Sequence, residues 1–272
     1  MIRVVNGSMG GPMRCGSGGT PVGSIENGKI LDPEGVAGAL RQLIARTEIQ
    51  DNRALIAVSD SLATFRVLKF APSTPEQGID SAIAKEFPLD PERMATRWAE
   101  VHTDGLQRVV YAAAWDRAEV KKVTDTAKLA GLETVVVDLK SACIARAVSE
   151  SSCVVIDLSS EPAEIILIDG HLPQVWHSFR IEIAPGDDLG PILATPLRSV
   201  LRFYQRRKDS EFGRNSPILI SGEQVLPSHV LSSLSEALEH PVEPLLVPSR
   251  VPQEVRHATY LTCLGLIMRR SG

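Results

Sequence analysis

The sequence predicts an α/β protein made of two halves of like architecture, with a small α/β module set into the first. Three observations predict it. The apolar pattern switches between a strand-like period of two and a helix-like period of about 3.6 along the whole chain. Each half reads as three antiparallel strands followed by alternating helix and strand, in the order β-β-β-α-β-α. Between them, residues 71–138 form a proline-punctuated segment with a strand and helix order of its own.

A short strand at 2–5 opens the chain and a glycine-rich stretch follows. In "SIENGKILDPEGVAGALRQLIARTEI" the Asn27-Gly28 pair marks a tight turn, Asp32 caps a helix and Pro33 takes its first position. Val36, Leu40, Leu43 and Ile44 fall on one helical face. The strand "ALIAVSD" comes next, and "ATFRVLKF", with its strict alternation, reads as its antiparallel neighbour.

The module opens with "APSTPEQGIDSAIAKEFPLDPERM", an amphipathic helix and a loop through Pro88 and Pro91, and places Trp98 at the end of a second helix. The strand "RVVYAAAW" leads to a helix at 117–130 that Gly131 closes. The strand "ETVVVDL" and the helix "KSACIARAVSE" complete it. The second half starts on the hairpin "CVVIDLSSEPAEIILIDG" and a third strand, "LPQVWHSFRIEI". A long helix at 191–208 carries Leu193, Leu197, Val200, Leu201 and Tyr204 inward. After it come the buried strand "SPILISGEQ", a helix at Ser228–Leu238, the strand "VEPLLV" and a final helix at 252–269.

Composition excludes several function classes. At 272 residues and 43% hydrophobic, the chain can bury a large core, and a net charge of -4 provides no basic field for nucleic acid. Its 4 cysteines lie far apart without a CxxC pair, which suits a reducing cytoplasmic setting. No apolar run reaches the roughly 20 residues of a membrane span, and the start lacks the charged head and apolar centre of a signal peptide. The 6 histidines are scattered, so a metal centre of that kind has no support. Neither G-x-S-x-G nor G-x-x-x-x-G-K-[ST] occurs. The basic run "RFYQRRKDSEFGR" reads first as a solvated helix end, and Trp98 and Trp115 as core filling or as the lining of a peptide groove.

Five segments, "GSIENGKILDPEGVAGALRQLI", "AAAWDRAEVKKVTDTAKLAGLETVVVDLKSACIARA", "VVIDLSSEPAEIILIDGHLPQVWHSFRI", "RSVLRFYQ" and "ILISGEQ", resemble in order and spacing the PilM family of type IV pilus assembly proteins, within the actin-like ATPase superfamily. The resemblance implies an actin-like, ribonuclease H-like fold of two lobes, with an inserted subdomain like that of the cell-division protein FtsA. It divides the chain into 1–70, a first lobe shortened at its start; 71–138, the insertion; 139–152, a helix returning to the first lobe; and 153–272, the second lobe.

The same resemblance implies a nucleotide site and shows where this chain departs from it. The family's first phosphate turn, of Asp-Ile-Gly-Ser type, has no counterpart in the sequence, and Arg3 stands where a lysine is usual. The second turn is "DLSSEPAEI". Asp157 is kept and implies Mg²⁺ held through water. Ser159, followed by Ser160, replaces a glycine; Glu161 adds negative charge; Pro162 removes an N–H donor. The adenosine turn is "SGEQ", with Gly222 kept and Glu223 in reach of ribose hydroxyls. ATP and Mg²⁺ are thus the implied cofactors, over a degraded site with no catalytic residue assigned. Asp157 and Ser159 serve equally well as caps of the turn.

The function implied is that of a cytoplasmic adaptor on a type IV pilus or related secretion platform. It would bind the cytoplasmic tail of a PilN-like inner-membrane protein near residues 60–137, meet other platform proteins, and reach the membrane through that partner. A competent Mg-ATP-dependent ATPase and an FtsA-like cell-division protein are the alternatives.

Overall fold

The computed structural model describes residues 1–87, 90–159, 161–182, 189–206, 212–213, 215–222, 226–248 and 251–269. They pack as two compact units, one of Met1–Ile2 with Ser17–Leu139, the other of Arg3–Gly16 with Lys140–Gly272. The division falls between Leu139 and Lys140, whereas the sequence suggested boundaries after 70, 138 and 152. Strands β1 (Ile2–Gly7) and β2 (Met13–Gly18) pair as a hairpin, most of which joins the C-terminal unit. The reason is apolar. Val5, Met9, Met13 and Cys15 pack against Val251, Val255, Leu264 and Ile267.

In the N-terminal unit, β3 (Ile25–Glu26) and β4 (Lys29–Ile30) meet through Asn27 and Gly28, at φ 47° and 77°, the left-handed pair that a two-residue hairpin turn requires. Helix α1 (Pro33–Arg46) begins as expected, with the Asp32 carboxylate accepting from the Gly35 N–H at 3.0 Å. Strand β5 (Arg53–Val58) does not pair with β6 (Ala63–Phe70). The partner of β6 is β8 (Arg108–Asp116), which also holds β7 (Met94–Thr103) in a sheet of order β6-β8-β7. β5 pairs instead, in parallel, with β9 (Glu133–Leu139).

The pairing follows from what α2 (Glu76–Glu86) must cover. Ile79, Ile83 and Phe87 pack on Val110, Ala112 and Ala114, and only with β6 beside β8 do Leu68 and Phe70 reach that cluster. Trp98 lies in β7, opposite Ala112, and not in a helix; its indole N–H donates to Asp80 at 2.7 Å. Helix α3 (Arg117–Leu129) starts on Asp116, whose carboxylate accepts from Ala118 and Glu119, and Gly131 follows its end at φ 87°.

The C-terminal unit keeps the expected β-β-β-α-β-α order behind α4 (Lys140–Ala147). Strands β10 (Cys153–Asp157), β11 (Ala163–Asp169) and β12 (Leu172–Phe179) are antiparallel. After them come α5 (Leu189–Gln205), β13 (Ile218–Ser221), α6 (Ser228–Leu238) and β14 (Val242–Pro244). One sheet of order β12-β11-β10-β13-β14 results, with β10 at its centre.

All of β10 and β11 is buried, because both faces are covered. Val154, Ile156, Ile165 and Leu167 face α5 and α6, while Cys153, Val155, Ile166 and Ile168 face α4 and the last helix, α7 (Leu261–Ile267). That last helix is shorter than expected. Single 3-10 turns at Gln253–Val255 and Ala258–Tyr260 precede it, and the first of them buries Val255 completely.

Candidate functional site

Strand parity builds the site. Asp157 ends β10 on the same side as Cys153 and Val155, so its carboxylate points to the α4 face, and its register partner on β11 is Glu164. Two carboxylates therefore stand opposite each other under the first residue of α4. That residue is Lys140. Its Nζ lies 2.6 Å from Asp157 Oδ2 and 2.6 Å from Glu164 Oε2, with the lysine side chain 14% exposed and each carboxylate 6%.

The other oxygen of Asp157 is held by the turn. Ser159 donates to Oδ1 from its N–H at 2.9 Å and from its hydroxyl at 2.6 Å. Arg3 reaches the same turn and donates to the Ser159 carbonyl at 3.4 Å. On the far side of β10, the parallel register sets Asp157 beside Ser221, and the Leu158 N–H donates to the Ser221 carbonyl at 2.7 Å. Gly222 follows at once, so the structure brings Asp157, Ser159 and Gly222 to the carboxyl ends of two adjacent parallel strands, where α/β sheets commonly bind ligands. Ser160 and Glu223 lie outside the described residues.

Electrostatics fix the charge states. Burial alone would push the Asp157 carboxyl up, but the Lys140 ammonium and the two Ser159 hydrogen bonds outweigh it and hold the group below the usual carboxylate range. Burial alone would likewise lower Lys140. The Asp157 and Glu164 carboxylates reverse that and leave it raised. A lysine at the first helical position opposes the helix dipole, a cost that the two carboxylates offset.

This chemistry does not fit a Mg-nucleotide without rearrangement. Both oxygens of Asp157 already have partners, and the Ser159 hydroxyl is turned inward. Pro162 offers no N–H, and Glu164 and Glu161 would repel phosphate. Cys153 and Cys263 supply no nucleophile either, since burial pushes both thiols up to about 12. Among the described residues no group of three or more His, Cys, Asp or Glu side chains is placed to hold a metal ion, and no helix is long and apolar enough to cross a membrane.

A solved structure of the PilM-PilN type IV pilus biogenesis complex contains a chain that this one matches with a TM-score of 0.72 at 20% identity, covering 98% of this chain and 94% of that one. The fold is that of the matched chain of the PilM-PilN complex. The cytoplasmic domain of EpsL, an inner membrane component of the type II secretion system of Vibrio cholerae, matches with a TM-score of 0.54 at 12% identity, over 86% of this chain and 82% of that one. No family model and no curated protein matches the chain. At these identities the likeness is one of fold alone.

Sequence reasoning found Asp157 and Ser159 but missed Lys140 and Glu164. The signal was present. A glutamate at the second position of a fully buried strand calls for a buried partner, and a lysine at the first turn of a short apolar helix supplies one.

Proposed function

We propose that the chain is a cytoplasmic adaptor of a type IV pilus or related secretion platform, binding the cytoplasmic tail of a PilN-like inner-membrane protein and reaching the membrane through it. The observation that carries this reading is the near end-to-end likeness to a chain of the PilM-PilN complex. The residues that close the turn on Lys140 support an adaptor over an ATPase, and a static scaffold over a nucleotide-driven switch.

The candidate face for the tail in this reading lies on the β6-β8-β7 sheet. The β6-β8-β7 sheet uses one face to cover α2, and on its other face Val67, Tyr111, Ala113 and Trp115 are half-buried, with Tyr111 stacked on Phe65 at 5.7 Å. An extended apolar peptide with a few polar groups suits such a surface. Trp98 is the exception among the candidate aromatics, since its ring packs toward α2 beneath Arg108.

Titration calorimetry of the folded chain with a synthetic PilN-like N-terminal tail tests the proposal. One-to-one binding is expected, weakened at least about tenfold in Tyr111→Ala, a loss of hot-spot size. A folded chain that ignores the tail would overturn it.

A further inference from the structure

Helix α5 turns two lines of side chains outward besides the face it buries. Leu193, Leu197, Val200, Leu201 and Tyr204 fill the core. Arg198, Arg202 and Arg206, spaced four apart, form an exposed row along the helix and just past its end. Beside it Ile192, Pro196, Ser199 and Phe203, at i, i+4, i+7 and i+11, make a second line that ends on Phe203, which is 63% exposed. None of the 17 residues of the helix is acidic. Arg198 donates to the Ala237 carbonyl at 2.9 Å, so α6, with its Glu236 and Glu239, adjoins α5 on the side of the row away from the apolar line. Among the described residues neither Arg202 nor Arg206 is engaged in an ion pair.

Arginines beside an exposed aromatic, on a helix without acids, match the chemistry of an anionic bilayer surface. Guanidinium forks pair with lipid phosphates, and an aromatic ring rests at the level of the headgroups. We propose that this face of α5 docks directly on anionic phospholipid, with Arg202 and Arg206 on phosphates and Phe203 among the headgroups. The net charge of -4 does not prevent it, because at physiological salt a charge is felt over only about 8 Å and the groups nearest the bilayer decide the contact. A protein partner would have to offer a recess matched to Phe203, whereas a bilayer accepts a ring anywhere on its surface. Each cation near an anionic leaflet strengthens partition about fivefold, so the row and one ring make a weak contact that a second tether turns into a stable one. The tail of a membrane partner is such a tether, but the lipid contact goes beyond that reading and stands without it.

Co-sedimentation of the full chain with vesicles of neutral phosphatidylcholine, and of phosphatidylcholine mixed with phosphatidylglycerol, tests it. Neither vesicle contains protein, so failure here leaves the tail calorimetry untouched. Binding is expected on the mixed vesicles alone, falling steeply between about 0.05 and 0.5 M NaCl as the Debye length shortens. Arg202→Gln with Arg206→Gln should weaken it about 25-fold, fivefold for each charge lost, while Arg202→Lys with Arg206→Lys keeps most of it. Phe203→Ser should weaken it several-fold and leave its salt dependence unchanged. All three positions are exposed, so the variants should unfold at the wild-type temperature. No binding to mixed vesicles at low salt overturns the proposal, and so does equal binding to neutral ones or indifference to the glutamine pair. Capture of the chain by polyglutamate without vesicle binding would make the row a protein contact and overturn it as well.

Discussion

The β10–β11 hairpin buries a carboxylate at each end, and the two ends satisfy it differently. At the turn, Asp157 faces Glu164 and both lean on Lys140. At the base, Asp169 is 6% exposed and accepts from the Ser152 hydroxyl at 2.7 Å and the Tyr204 hydroxyl at 2.8 Å. There two hydroxyl donors hold the carboxylate. At the turn, two carboxylates share one cation.

Breaking the ionic end should therefore cost the most. Lys140→Met leaves two buried carboxylates facing each other, and denaturant unfolding should show a loss of about 3–5 kcal/mol. Replacing all three residues by apolar ones of similar size should recover most of that loss, since a buried network is often no more stable than its apolar replacement. A triple variant as unstable as the single one would mean that Lys140 acts through packing rather than charge.

The same end sets the pH dependence. The Asp157 carboxyl is depressed in the fold, so its contribution is complete above the unfolded value of about 3.9 and is lost as pH falls through the lower folded value. Lys140 is raised, so its contribution is complete below about 10.4 and is lost as pH rises through the higher folded value. Stability from this network should be flat from about pH 5 to 9. In Lys140→Met the acid side inverts. Without the ammonium, burial and Glu164 push Asp157 up, and the unfolding midpoint should rise as pH drops from about 7 toward 5.

Disturbing the hydroxyl-bonded end should cost less. Tyr204→Phe keeps the ring, including its edge contact with Phe212, and removes one donor to Asp169 while Ser152 remains. A loss of about 1.5–3 kcal/mol is expected, the range for a hydrogen bond to a charged group. A loss as large as that of Lys140→Met would mean that the two ends are not different in kind.

The contrast between the ends also marks what the sequence could reveal. Element types that depend on local pattern were legible: the Asp32 cap, the Asn27-Gly28 turn, the apolar run of β10 and the inward face of α5. Pairing was not. The alternation in β6 is satisfied by any neighbour, and only the packing of Leu68 and Phe70 beneath α2 selects β8 over β5. At the turn, the acid Asp157 was legible because it ends an apolar run. Its partner Lys140 comes from a separate element that only the fold brings beneath the turn.

The smallest effect isolates burial as the cause. Lys121 and Asp125 on α3 stand 2.6 Å apart, the same separation as Lys140 and Asp157, and are also a lysine and an aspartate anchored on regular structure. They differ in water. The α3 pair is 73% and 54% exposed, against 14% and 6% for the site pair. In solvent, each charge keeps its hydration, salt screens the attraction, and ordering two long side chains offsets what is left. Lys121→Ala should therefore leave the unfolding midpoint unchanged within error at physiological salt. A loss comparable to that of Lys140→Met would show that distance, rather than desolvation, governs both pairs. The buried ion-pair account of the turn would then lose its physical basis.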